Sequence, residues 1–220
     1  MIRVVLLQII DGNNIEANYP AVRIINADVI LDSGTVIQNN VDVEDRGGGL
    51  YVTNCNVVIN GIKILNNQVV HENGGAGGGI ASRRSNINDI EVIGNNSKYN
   101  QGGGIYFNDY GYKLTFNDGL IQNNSATNSI GGGIAIFSGE LEINGGEISN
   151  NVAINGGGVS IGSSSTTSEN GGTLTINNGT IINNTAELGG GIYIIKGQTY
   201  NYVNGVIKDN VPDNVAIEDN

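Results

Sequence analysis

Tryptophan is absent from this 220-residue chain, which holds one histidine, one cysteine, one methionine and two prolines. An aromatic platform for a ligand would have to be built from its 9 tyrosines. A single cysteine, Cys55, excludes an intramolecular disulfide framework. It stands in the strand-like run Leu50 to Ile59, far in sequence from His71, and reads as a structural thiol, not a nucleophile. Basic residues are scarce: 10 Lys and Arg against 21 Asp and Glu, a net charge of -11. No basic stripe is present, which excludes the usual footprint of a nucleic-acid binder. An anionic membrane or polyanionic glycan is a poor partner unless a cation bridges the charges. No apolar run reaches the length of a membrane helix. The opening run from Val4 to Ile10 is short, contains Gln8 and lacks a small-residue cleavage site, so it reads as a strand of a first coil or a cap.

What is abundant is glycine and asparagine, 35 and 36 residues. That balance disfavours helices and favours tightly turning β structure. The hydrophobic share of 39% suffices for one domain with a substantial core.

The sequence repeats. Ile37, Ile64, Ile93, Ile121, Ile148, Ile181 and Ile207 each stand two residues before Asn or Asp, and Asn follows at once: Asn40, Asn67, Asn96, Asn124, Asn151, Asn184 and Asn210. The steps between those asparagines are 27, 29, 28, 27, 33 and 26 residues. Such a period marks a solenoid. A glycine triplet recurs out of phase, as at Gly102-Gly103-Gly104, followed by an alternating strand such as Ile105-Tyr106-Phe107. A second strand ends in Asn, as in Leu114-Thr115-Phe116-Asn117, and a Gly-containing turn leads to the isoleucine strand.

The pattern predicts an all-β fold, a right-handed parallel β-helix with three short strands per coil and about seven coils of 25–33 residues. Stacked coils would align isoleucine on isoleucine inside and Asn on Asn at one corner, in a rod of roughly 34 Å. Residues 1–28 would form a cap or first coil, 29–212 the repeats, and 213–220 an end or the start of a cap. The Ser/Thr-rich insertion from Gly162 to Gly172 would be a surface loop.

The glycine triplets followed by Ile or Val, with Asn-ended strands, resemble the repeats of polymorphic outer-membrane-protein-type adhesins, within the pectate-lyase-like β-helix class. The resemblance covers roughly Val29 to Pro212 and implies a right-handed β-helix at a cell surface or secreted. It departs from the usual pattern: a third glycine replaces alanine, and Ile-x-Asn-Asn stands where Phe-x-x-Asn is typical.

Enzymes of this fold class act on glycans. Hydrolysis needs two carboxylates flanking a sugar, and lyases need a base and commonly calcium. Arg83 and Arg84 form the strongest basic cluster, and alignment of the glycine triplets sets Arg84 one coil below Asp109, as an exposed ion pair would be. No dense carboxylate patch recurs, Gly-Gly-x-Gly-x-Asp calcium repeats are missing, and an ice-binding threonine array is broken by Glu142, Glu147 and Lys63. The expectation is no catalytic residue, no metal and no cofactor. Tyr51, Tyr106 and Tyr193 share an outward column with small residues and, with Arg83, Arg84 and Asp109, are the candidate binding residues. The reading is a non-enzymatic extracellular or cell-surface rod, an adhesin-like passenger, stalk or scaffold. Its partners would be a glycan, a host or neighbouring surface protein, or further copies end to end. The alternatives are a polysaccharide lyase or hydrolase and a self-assembling fibre or lattice subunit.

Overall fold

A computed structural model describes residues 2–4, 9–44, 46–72, 74–82, 85–162 and 171–218. Arg83, Arg84 and residues 163–170 of the insertion lie outside the described residues. The chain is a right-handed parallel β-solenoid of about 7 turns with no helix among the described residues.

Three faces wind around one core. Face 1 carries the strands that follow the glycine triplets, among them Leu50–Thr53, Ile80–Ser82, Val159–Ile161 and Ile192–Ile194. Face 2 carries the Asn-ended strands and face 3 the isoleucine strands. Four strands, Val57–Leu65, Ser85–Ile93, Ile105–Phe116 and Ile134–Ile143, run through a corner from one face to the next. A fourth, shorter ladder follows the Asn corner, from Glu16–Ala17 through Val41–Asp42, Gln68–Val69, Asn96–Ser97 and Ser125–Ile130 to Val152–Asn155. It forms a six-stranded sheet of its own. Every pairing is parallel and joins one coil to the next, as between Leu114, Leu141 and Leu174. The strands within residues 2–25 already pair in register with the second coil, and Val215–Ile217 adds to face 1 beside Ile192–Ile194.

Strand alternation sends one set of side chains inward. The face 3 column reads Ile37, Ile64, Val92, Ile121, Ile148, Ile181, all buried, with Ile207 half-buried at the end of the row. Ile93 is therefore not a core residue. It pairs with Leu65 and Gln122 on the outward side, and Val92 takes the inward place. The ladder asparagine of that coil is Asn95, fully buried, and not Asn96, which joins the short ladder between Gln68 and Ser125. The reason lies at one backbone position. Asn39, Asn66, Asn123, Asn150, Asn183 and Asp209 precede the ladder residue with φ between 53° and 57°, and Gly94 holds that place with φ 69°. Asn and Gly both tolerate left-handed backbone, so they exchange there and the Asn-Asn spelling shifts by one residue.

The corner asparagines close on themselves. Asn124 donates from its N–H and its Nδ2 to Asn151 Oδ1 at 2.9 and 3.0 Å, and from Nδ2 to the Val92 carbonyl at 2.8 Å. Its own Oδ1 accepts from the N–H and Nδ2 of Asn95 at 2.9 and 3.0 Å. The same pattern repeats from Asn67 to Asn184, with both amide hydrogens and both carbonyl lone pairs used. After Asn210 the row ends on Asn214, whose Oδ1 accepts from Asn210 N and Nδ2 at 3.3 and 3.0 Å.

The glycine triplets are fixed by the same stacking. In Gly102-Gly103-Gly104 the first has φ 72°. A Cβ on the second would stand 2.5 Å from the Gly132 carbonyl oxygen, and one on the third 2.6 Å from that of Gly133 and 3.1 Å from the Asn124 amide carbon. Where Ser82 and Ser85 occupy inward positions, their hydroxyls bond each other, and Phe107 stacks on the Ser82 position from the next coil. Phe107 and Phe116 are the two largest fully buried side chains, so bulk in one coil offsets the small residues in its neighbour.

Candidate functional site

A wide hollow lies outside face 2. It is an open groove of about 300 Å³ lined by Asn56, Val57, Val58, Ser85, Tyr112, Lys113 and Thr115, spanning three successive coils. Its outer wall comes from an excursion within Ile105–Phe116. Asn108 still pairs with Ser138, Lys113 resumes pairing at Glu140, and residues 109–112 lie between these pairings. Gly111 turns the excursion with φ 79° and nothing within 4 Å of where a Cβ would stand. Tyr110 and Tyr112 are 61% and 40% exposed.

Charge around the groove is paired along the rod axis. Lys113 Nζ lies 2.6 Å from Glu142 Oε2 and 3.6 Å from Glu140 Oε2. The hydrogen bond to Glu142 holds the Lys113 ammonium above the ordinary lysine value, against a smaller opposing effect of burial. On face 3, Lys63 Nζ bonds both oxygens of Glu91 at 2.8 and 2.9 Å. Asn56 Nδ2 donates to Asp28 Oδ1 at 2.9 Å.

Beside the groove runs a second asparagine row, at the outer corner between faces 2 and 3. Asn60 Nδ2 donates to Asp32 Oδ1 at 2.9 Å, Asn88 to Asn60 at 2.7 Å, Asn117 to Asn88 at 2.9 Å, Asn144 to Asn117 at 2.8 Å and Asn177 to Asn144 at 2.8 Å. These amides point toward the start of the chain, opposite to the buried row, and end on a carboxylate. All five keep some exposure to solvent. The sequence signal was the Asn that ends each face 2 strand; on its own it reads as the start of a turn.

The tyrosine column has the predicted register. Arg23, Tyr51, Ala81, Tyr106, Ala135, Ser160, Tyr193 and Ala216 align outside face 1. Its rings are not open platforms. Tyr106 and Tyr193 are each only 7% exposed. Tyr106 packs in a small outer cluster with Ala76, Ala81, Ala135, Tyr51 and Phe137, with Arg46 over its ring at 6.0 Å from the centroid. Tyr51 is half-buried beneath Arg23, 5.5 Å from its ring centre. Burial raises the pKa of the Tyr193 phenol, and the neighbouring Glu218 carboxylate adds to the shift. Two further hollows flank this column, about 280 Å³ beside Tyr193 and Glu218 and about 150 Å³ beside Tyr106 and Arg46, with Gln101 shared between them.

Asp109 sits half-buried in the excursion. Its expected neighbours Arg83 and Arg84 lie outside the described residues. Cys55 is buried, with its thiol against the Thr53 carbonyl at 2.8 Å. Among the described residues no group of three or more His, Cys, Asp or Glu could hold a metal ion. No family model, curated protein or solved structure matches the chain.

Proposed function

We propose that this chain is a non-enzymatic, extracellular or cell-surface β-solenoid that works as an adhesin-like passenger, stalk or scaffold. The mechanism is geometric: a stiff rod holds a side face in place for a glycan or a neighbouring surface protein. The observation that carries this reading is how the acidic side chains beside the face 2 groove are used. Glu140 and Glu142 are both taken by Lys113, which lines it. The described residues that line the groove are Asn56, Val57, Val58, Ser85, Tyr112, Lys113 and Thr115, with no carboxylate among them. Such groups bind without supplying an acid and a base. The resemblance to surface adhesin repeats points the same way.

The test is to incubate the purified chain with plant, bacterial and host glycans and to measure bound protein together with released reducing or unsaturated ends. Binding without cleavage is the expected result. Depolymerisation would overturn the reading in favour of a lyase or hydrolase.

A second reading, end-to-end assembly, has its own observation. Ile9, Ile15, Tyr19 and Ile25 are exposed in the first coil, and Tyr202, Val203, Val206, Val211 and Ile217 in the last. Open strand edges beside exposed apolar residues favour strand addition by another copy. A molecular mass by light scattering that stays monomeric at every concentration would rule it out.

A further inference from the structure

Two asparagine rows climb this rod, and they differ in what they leave unused. In the buried row each amide spends both hydrogens and both lone pairs on the protein. In the outer row each of Asn60, Asn88, Asn117 and Asn144 spends one N–H on the coil before and accepts one N–H from the coil after. A primary amide has two donors and two acceptor sites. One donor and one acceptor per coil therefore stay available, on side chains that water reaches.

The spare pairs recur once per coil, at about 4.8 Å. Asn60 to Asn144 spans three coil steps, roughly 14 Å, and Asn177, whose amide also donates to Glu142, closes the row. Alignment of the amides strengthens each free group, since every donor in the row is polarised by the next acceptor, down to the Asp32 carboxylate. Alongside lies the outward column Val58, Thr115, Glu142, Thr175, Asn201, mixed apolar and polar, and beyond it the groove walled by Tyr112.

We infer that this strip is a binding site for an uncharged, extended polysaccharide lying parallel to the rod axis. Three features select that class. A sugar hydroxyl donates and accepts, which matches one spare donor plus one spare acceptor at each step. A chain of hexopyranose rings linked through opposite ends advances by close to one coil step per ring; alternate rings turn over, but both ring edges carry hydroxyls, so successive rings still meet successive asparagines. An extended peptide does not: its same-side amides recur at about 6.8 Å. The net charge of -11 opposes a polyanion. The excursion bearing Tyr112 gives one ring an aromatic edge to pack against. The assignment rests on the proposed binding role and names its site and ligand class.

The experiment is calorimetric titration of the whole chain with cello-, xylo-, manno- and laminari-oligosaccharides of two to six rings, with hexagalacturonate as the polyanion. At least one neutral series should bind, with affinity rising by ring up to about four rings, one per amide with a spare pair, and then levelling off. Asn117→Ala interrupts the row at its centre and should weaken the hexasaccharide about fivefold. Its melting temperature should stay near that of the parent chain, because water replaces its partners. Four results would overturn the inference: no neutral series binds, hexagalacturonate binds more tightly, affinity does not depend on length, or Asn117→Ala binds as well as the parent. Release of reducing ends in the same titrations would instead overturn the non-enzymatic reading, so the two failures are distinguishable.

Discussion

Replacing Asn124 by alanine should be among the most damaging single changes available in this chain. The substitution orphans two groups at a position with no solvent exposure, the Asn95 N–H and one Asn95 Nδ2 hydrogen, while the Val92 carbonyl keeps its ladder partner on the next coil. Asn151 Oδ1 keeps a partner, since the backbone N–H of residue 124 still donates to it. Each buried unsatisfied group costs about 1–3 kcal/mol. A water admitted to the vacated space recovers part of that, so the expected loss is about 2–4 kcal/mol. The same change at Asn117 breaks two amide bonds of similar length on a partly exposed side chain, and should cost less than about 1 kcal/mol. Urea unfolding of both variants, followed by circular dichroism, gives the comparison directly. Asn124→Asp adds a pH signature. A carboxylate there would face the Val92 carbonyl and Asn151 Oδ1, so its folded pKa is raised above the unfolded value of about 3.9. Stability is then greatest below that value and is lost as pH rises through the folded pKa. Equal losses for Asn124→Ala and Asn117→Ala, or a cost below about 1 kcal/mol at Asn124, would refute the account of the two rows.

Gly104→Ala should prevent folding of its coil, because the new methyl would stand 2.6 Å from a carbonyl oxygen of the next one, whereas Gly111→Ala, with open space around it, should cost only about 1 kcal/mol for its left-handed backbone; thermal melts separate the two. Phe116→Ala empties a fully buried site and should cost about 3–5 kcal/mol, read from the denaturant midpoint. Burial raises the pKa of the Tyr200 phenol, with Tyr202 adding to the shift, so its contribution is complete below the ordinary tyrosine value of about 10 and is lost as pH rises through the folded one. Tyr200→Phe should therefore blunt the alkaline loss of stability in a pH series of melts.

The solenoid was legible in the sequence because stacking writes one rule onto every coil: an inward aliphatic, a left-handed residue, then an amide. Where the rule allowed a substitute, the reading slipped. Gly94 meets the backbone requirement as well as Asn does, and the chance sequence Ile93-Gly94-Asn95-Asn96 then offered a false alignment. The tyrosine column was placed correctly, yet its burial was not foreseen. The cover comes from Ala76, Arg46 and Phe137, which reach it from corners that follow no common spelling. The excursion over the groove was hidden for a similar reason. Residues 105–107 and 114–116 read as two strands with a plain connection, and only the pairings of Asn108 with Ser138 and Lys113 with Glu140 expose the extra length between them. The outer amide row was visible letter by letter, but its direction and its unused hydrogens belong to geometry.

Hydrogen bonds in this fold run along the rod while the chain runs around it, and the partners of side-chain hydrogen bonds between adjacent coils stand 22 to 36 residues apart. That sets the mechanical response. Tension applied between the two ends passes through every coil, but it peels the outermost one bond by bond, like a zipper, while inside the rod each coil shares the load over all its bonds. Each detached coil would release about 27 residues, roughly 90 Å of slack, before the next takes the load. Bending and twisting, by contrast, must deform every coil at once. A tether built this way stays rigid sideways yet lengthens in small, repeated steps when its ends are pulled apart.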